Sequence, residues 1–208
     1  MNALVIVPIV RYSTDMPRNP TVSNDVLLDR LTHLFRMVGY ESASMARIAA
    51  ATGLEKSSLY HRFPNGKQQM ALEVTERVGA TFANVVLAPA LQHETPVAKR
   101  VETIAANLRE FYKEGTMPCL LEALSVEAVN ESISANLRSA AEAWIGVFAA
   151  IGVEAGMPRR RARQCAQDAV ANIEGALVLA RVTGDTTAFE RSLKSLPNQL
   201  TSHDDQRN

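Results

Sequence analysis

Residues 51–71, ATGLEKSSLYHRFPNGKQQMA, gather an unusual amount of hydrogen-bond chemistry into a short stretch. Lys56, Ser57, Ser58, Tyr60, His61, Arg62 and Lys67 crowd around two apolar anchors, Leu59 and Phe63, and a Pro64-Asn65-Gly66 turn closes the group. Donors of this kind suit oxygen acceptors such as phosphates and base edges. They do not form a reactive cluster. His33, His61, His93 and His203 are scattered, with no pair at metal-ligand spacing. The chain has no glycine-rich phosphate loop, no nucleophile elbow and no carboxylate pair inside an apolar run. Cys119 and Cys165 lie far apart among apolar residues, without the clustered ligands of a zinc site or a disulfide framework. Both read as small buried hydrophobes. Catalysis, a metal and a cofactor are therefore not expected.

The elements that must position these donors are helical. Leu27, Leu31, Leu34, Phe35 and Val38 recur at helical spacing until Gly39. A short second helix, 44–53, has Ser44 as its N-cap and Gly53 at its end. A third, 55–62, stops where Pro64 disfavours a helical residue before it. Longer helices are predicted over 67–87, 96–114, 133–153 and 159–183, with a shorter one over 118–128. The last strong helix, 159–183, is apolar on more than one stripe, through Ala169, Ile173, Ala176, Leu177 and Ala180 and also Val170, Val178 and Leu179. Such a helix needs cover on two sides. No alternating pattern argues for sheet, so the fold class is all-α.

The second and third helices, with Gly53 between them and a small core of Ile48, Ala49, Leu54 and Leu59, form a helix-turn-helix pattern. In that arrangement the second helix of the pair enters the DNA major groove by its N-terminal end. Lys56, Ser57 and Ser58 stand on that first turn and face base edges. Tyr60 and His61 can donate to flanking phosphates. Ser44 and Arg47 open the preceding helix, whose free N–H groups favour a phosphate, and Lys67 does the same at the start of the long helix.

Taken together, GYESASMARIAAATGLEKSSLYHRFPNGKQQMALEV (39–74) resembles the N-terminal signature of TetR/AcrR-family transcriptional regulators. The matching elements are the Gly39-Tyr40 pair, Ile48-Ala49 leading to Gly53, and Leu59-Tyr60-His61 with Phe63 and a following lysine. The resemblance implies an N-terminal three-helix helix-turn-helix domain joined by a long helix to a C-terminal helical ligand-binding and dimerisation domain. It carries onto Ser44, Lys56, Ser57, Ser58, Tyr60, His61 and Lys67 as DNA contacts, and it implies repression relieved by a small molecule. Two positions depart from it. Glu55 stands where members usually have a small polar cap, and Gly66 lengthens the turn before Lys67. The form FPNGK, with MPCLLEALSVEA and EGALVLARVTGD further on, is similar to the LmrA/YxaF-like branch.

The boundaries expected are a disordered extension over 1–21, with Met16 an alternative start, a DNA-binding domain over 22–66, a regulatory and dimerisation domain over 67–200, and a frayed tail over 201–208. Reading two half-sites of a pseudo-palindromic double-stranded operator, about 34–36 Å apart, calls for a homodimer. The helices at 133–153 and 159–183 are its candidate interface, a four-helix bundle across a twofold axis. A small apolar or aromatic effector would sit among Phe82, Leu108, Phe111, Tyr112, Met117, Leu121, Trp144 and Phe148. Formal net charge is zero overall, but residues 1–70 carry eight basic against five acidic residues. This is a modest electrostatic footprint, and a helical ligand-binding or scaffold module that has lost DNA binding stays open as the alternative. The N-terminal apolar run is short, is broken by Pro8 and lacks a preceding basic residue, so neither a signal peptide nor a membrane span is expected, and the location predicted is cytoplasmic.

Overall fold

The computed structural model describes residues 22–125 and 131–202, and among these every regular element is helical. The expected extension and the residues after Ser202 lie outside the described residues.

Helix α1, Asn24–Val38, begins where the Ser23 hydroxyl accepts from the Val26 N–H and ends at Gly39, whose φ of 74° lets the chain turn away. Its stripe of Leu27, Leu28, Leu31 and Phe35 is buried. Helix α2, Met45–Thr52, is capped by the Ser44 hydroxyl, which accepts from the Arg47 N–H at 3.3 Å. Gly53 closes it in the left-handed conformation and turns the chain into α3, Lys56–Arg62. Helix α3 stops at Phe63, which leaves the helical conformation as the following proline favours. Ile48, Leu59 and Phe63 are fully buried and hold α3 to its own domain. The Arg30 guanidinium donates to the Thr52 carbonyl at 2.5 Å, tying α1 to the end of α2.

The predicted helix over 67–87 is two structures. Helix α4, Gly66–Phe82, is regular; a π-turn over Ala83–Leu87 and a short 3-10 segment over Ala88–Leu91 follow it. Pro89 cannot donate to the carbonyl of Val85 four residues back, and the Asn107 side-chain amide fills that acceptor at 2.8 Å. Helix α4 is fastened to α1 by Arg77, which bridges Asp25 at 2.8 Å and Asp29 at 2.7 Å.

Helix α5, Val97–Phe111, starts after Pro96 and ends three residues sooner than its periodicity suggests. Lys113 and Glu114 are left-handed, at φ 47° and 57°, and Gly115 follows at φ 88°. A side chain on Gly115 would stand 2.8 Å from the Phe189 ring, so this tight reversal requires glycine twice over. Helix α6 covers Leu120–Ser125; Pro118 and Cys119 precede it outside the helix, and residues 126–128 of the predicted segment lie outside the described residues. Helices α7, Glu131–Glu154, and α8, Arg159–Thr183, agree closely with their periodicity.

A further helix, α9 over Thr187–Thr201, was not predicted. Phe189, Leu193, Leu196 and Leu200 form its buried stripe, packed on α8 and α5. Pro197 inside it hides the pattern from a sequence reading, and the helix runs only one turn beyond it. Helix α9 is also the intrachain cover for part of the wide apolar surface of α8.

Two buried clusters result. One joins α1 to α4 and also takes in Leu120, Leu124, Ile133 and Leu137 from α6 and α7. The other fills the space among α5, α7, α8, α9 and the π-turn. The N-terminal helices therefore pack directly against the C-terminal bundle, with α4 and α6 between the two cores.

Candidate nucleic-acid interface and ligand cavity

The helix-turn-helix presents Ser44, Arg47, Lys56, Ser57, Ser58, Tyr60 and His61 as exposed residues, and Tyr60 keeps half of its surface in solvent although it is a large aromatic. The Ser44 hydroxyl is engaged in capping α2, and the Arg47 guanidinium donates to the Ser42 carbonyl at 3.2 Å. Lys56, Ser57 and Ser58 occupy the first turn of α3, where the N–H groups of the helix start add a positive end. Glu55 is the N-cap residue but caps no backbone N–H; its carboxylate accepts from the Ser57 hydroxyl at 3.5 Å. An acidic residue there complements the helix dipole.

Lys67 is placed differently from its neighbours. Its ammonium donates to the Tyr40 carbonyl at 2.9 Å, lies 4.1 Å from the centre of the Tyr40 ring, and stands 3.7 Å from the Glu41 carboxylate. Tyr40 in turn stacks on Phe35 at 6.3 Å. Lys67 thus clamps the start of α4 onto the end of α1. Arg62 is likewise drawn back, donating to the Asn24 side-chain carbonyl.

Behind this domain lies a cavity of about 270 Å³. Of the residues expected around an effector, Phe82, Phe111, Tyr112, Leu121 and Trp144 line it. Phe82 meets Phe111 edge-on at 5.2 Å and Trp144 at 4.8 Å, giving a continuous aromatic wall. Leu108, Met117 and Phe148 do not line it. Leu108 and Phe148 are fully buried in the C-terminal core, where Phe148 supports Trp144 from behind at 6.0 Å, and Met117 is half-buried beside the reversal after α5. Helical spacing cannot distinguish an aromatic that faces a void from one that faces a neighbour.

The polar members of the lining escaped sequence reasoning. Arg36 comes from α1, with Thr75 from α4, Cys119 from the segment before α6 and Asn136 from α7. Arg36 is only 8% exposed, its Nε–H has no hydrogen-bond partner, and its guanidinium carbon lies 5.2 Å from the centre of the Phe111 ring. Burial pulls its pKa below the usual range. Periodicity gave no signal for it: Arg36 stands about 80° round α1 from Leu28, on the side away from Leu27, Leu31 and Phe35.

The Tyr112 hydroxyl donates to the Cys119 sulfur at 3.3 Å. Burial raises the pKa of both groups, so both stay neutral, and Cys119 is a hydrophobe with a weak polar handle rather than a nucleophile. Cys165, read as buried from sequence, is half-exposed on α8. Glu174, behind Cys119, is pushed up to about 7 by burial, with Cys119 lowering it in part. The lining offers shape, aromatic surface and donors. Among the described residues no cluster of His, Cys, Asp or Glu could hold a metal, and no helix is long and apolar enough to cross a membrane.

Comparison with known proteins agrees with this geometry at both ends of the chain. Residues 27–74 match the family model for bacterial regulatory proteins of the tetR family, and residues 95–194 match the model for the C-terminal domain of LmrA/YxaF-like transcriptional regulators. The uncharacterized HTH-type transcriptional regulator YxaF of Bacillus subtilis (strain 168) is 25% identical over 178 residues, 84% of this chain and 93% of that protein. The HTH-type transcriptional regulator LmrA of the same organism is 24% identical over 183 residues, 86% of this chain and 96% of that protein. The crystal structure of a TetR transcriptional regulator from Legionella pneumophila shares the fold, with a TM-score of 0.77 at 20% identity over 88% of this chain and 100% of that one. An exposed reading helix on one core, an LmrA/YxaF-like helical bundle on the other, and two family models that together match well over half of the chain make this protein a TetR-family DNA-binding transcriptional regulator, not an enzyme.

Proposed function

We propose that the protein is a homodimeric repressor that leaves its operator when a small apolar or aromatic effector enters the cavity. One observation carries the reading: the cavity is lined from both domains, by Arg36 of α1 as well as by α4, α5, α6 and α7. A ligand there touches the element that supports the reading helices, so occupancy and operator geometry are physically linked. The link must be reciprocal, and couplings of this kind are typically about 1–3 kcal/mol. In this reading Lys56, Ser57 and Ser58 face bases; Ser44, Arg47, Tyr60 and His61 face phosphates. Lys67 serves first as the clamp between α4 and α1, and reaches a phosphate only if that clamp opens.

The dimer forms through α7 and α8. Ala135, Ser139, Ala143, Gly146 and Ala150 on α7, and Ala171, Gly175, Leu179 and Val182 on α8, are accessible along each helix, with Ser139 and Ala143 also lining the cavity. A side chain added at Gly146 or Gly175 would meet nothing within 4 Å, so packing within the subunit does not require glycine at either position. Close approach of a second copy does. Work on an operator places the protein with the DNA, in the cytoplasm.

The test is operator release. Fluorescence anisotropy with DNA from the protein's own promoter region should give salt-sensitive binding. Compounds that raise the thermal midpoint should weaken that binding about fivefold or more. Operator affinity indifferent to every compound that demonstrably binds would overturn the reading.

A further inference from the structure

Arg36 is not explained by folding. A guanidinium costs free energy to bury unless a carboxylate or several acceptors receive it, and helix α1 would form equally well with an apolar residue at that position. Its Nε–H has no partner, and no ion pair with it is formed among the described residues. The titratable groups that act on it are the Cys119 thiol and the Tyr112 hydroxyl, both held neutral by burial. Trp144, 1% exposed, lines the same cavity, and its indole N–H is also without an acceptor. Two buried donors, one of them cationic, therefore share an aromatic space of about 270 Å³. The one carboxylate among the lining residues, Glu76, is exposed at the rim and neutralises neither.

Resting on the effector reading above and narrowing it, we propose that the cavity takes an anionic aromatic ligand: a flat apolar body against Phe82, Phe111 and Trp144, with one delocalised oxyanion such as a carboxylate or sulfonate on Arg36. Both requirements come from the lining. The aromatic wall fits the body, and a planar guanidinium offers two parallel N–H groups to an oxyanion. Because Arg36 is part of α1, the anion grips the DNA-binding domain itself. Arg36 lies one turn before Gly39-Tyr40, which Lys67 clamps to α4, so the ligand's charge acts on the joint between the two domains.

A matched pair of probes separates charge from shape. 8-Anilinonaphthalene-1-sulfonate and N-phenyl-1-naphthylamine share one aromatic body and differ by the sulfonate. Trp144 is the only tryptophan in the chain, so quenching of its emission reports a probe bound near it, and the cavity-filling variant below separates entry from adsorption elsewhere. The wild-type protein should bind the sulfonate about tenfold or more tighter than the neutral probe, as a charge-assisted hydrogen bond requires. Arg36→Met should erase that preference while leaving the neutral probe bound, and Arg36→Lys should restore part of it. Gly79→Leu fills the cavity at a lining position where a side chain meets nothing within 4 Å, and it should abolish quenching by both probes. Equal or weaker binding of the sulfonate by the wild type overturns the anionic class and leaves the effector cavity standing. Failure of both probes to quench Trp144 removes the cavity reading itself. A thermal midpoint for Arg36→Met at or above that of the wild type is expected, since the variant removes a buried charge; a steep fall would mean that Arg36 holds the fold and would overturn the assignment.

Discussion

Individual side chains here divide into those held for structure and those left available. Lys56 is exposed at the start of α3, whereas Lys67, equally basic in sequence, is folded back on Tyr40 and Glu41. Substitution of the first should fall on DNA binding alone. Lys56→Ala is expected to weaken operator binding about tenfold with the thermal midpoint unchanged, and Tyr60→Phe to weaken it a few-fold, measured by anisotropy at fixed salt. Binding indifferent to both would remove α3 from the interface. Glu174 makes the opposite case, a group whose cost is internal. Its folded-state pKa of about 7 stands above the ordinary 4.5, so the folded protein holds this proton more tightly than the unfolded chain. The penalty is absent below about pH 4.5, grows as pH rises toward 7, and is complete above it, on the order of 3 kcal/mol. Glu174→Gln should therefore raise the thermal midpoint at pH 8 and lose that advantage at pH 5. The same difference at both pH values would mean that the carboxyl is not held neutral.

At the scale of elements, periodicity located α1 to α8 because each buries one stripe against a neighbour, and that requirement is written residue by residue. Breaks in the pattern were harder. The π-turn after α4 follows from Pro89 together with Asn107, eighteen residues later in the chain, and no local rule pairs them. Helix α5 stops early because Gly115 must pass against Phe189, which belongs to the unpredicted α9. This reversal is a sharp test of the packing. Gly115→Ala puts a Cβ at φ 88° and 2.8 Å from the Phe189 ring, and it should cost about 2–4 kcal/mol in urea unfolding. Gly79→Ala, in open space within a helix, should cost nothing. Equal effects would mean that the contact with Phe189 is not tight.

For the whole molecule, assembly and signalling share the same helices. Helix α7 lines the cavity with Asn136 and Trp144, and Ser139 and Ala143 belong both to that lining and to the row of small residues proposed to meet a second copy. Gly146→Glu and Gly175→Glu leave the subunit core untouched and should shift the protein from dimer to monomer in sedimentation. Operator affinity should then drop steeply, because one helix-turn-helix reads a single half-site. A variant that remained dimeric would move the interface away from this face.

The reading helix, its exposed donors, the glycine turn and the family membership were legible in the sequence because each depends on residues close together in the chain. Of the eight residues expected around an effector, five line the cavity, Leu108 and Phe148 are packed core and Met117 is half-buried outside both, since spacing along a helix reports burial but not what lies opposite. Arg36 was legible as a basic residue of α1, yet its role as a buried cation in a distant domain's cavity needed α4, α5, α6 and α7 to converge on it. The sequence alone determined which helices form and which of their faces are apolar. The tertiary structure decided where those faces leave a void, and which polar groups are stranded in it, because a void is a property of several helices at once.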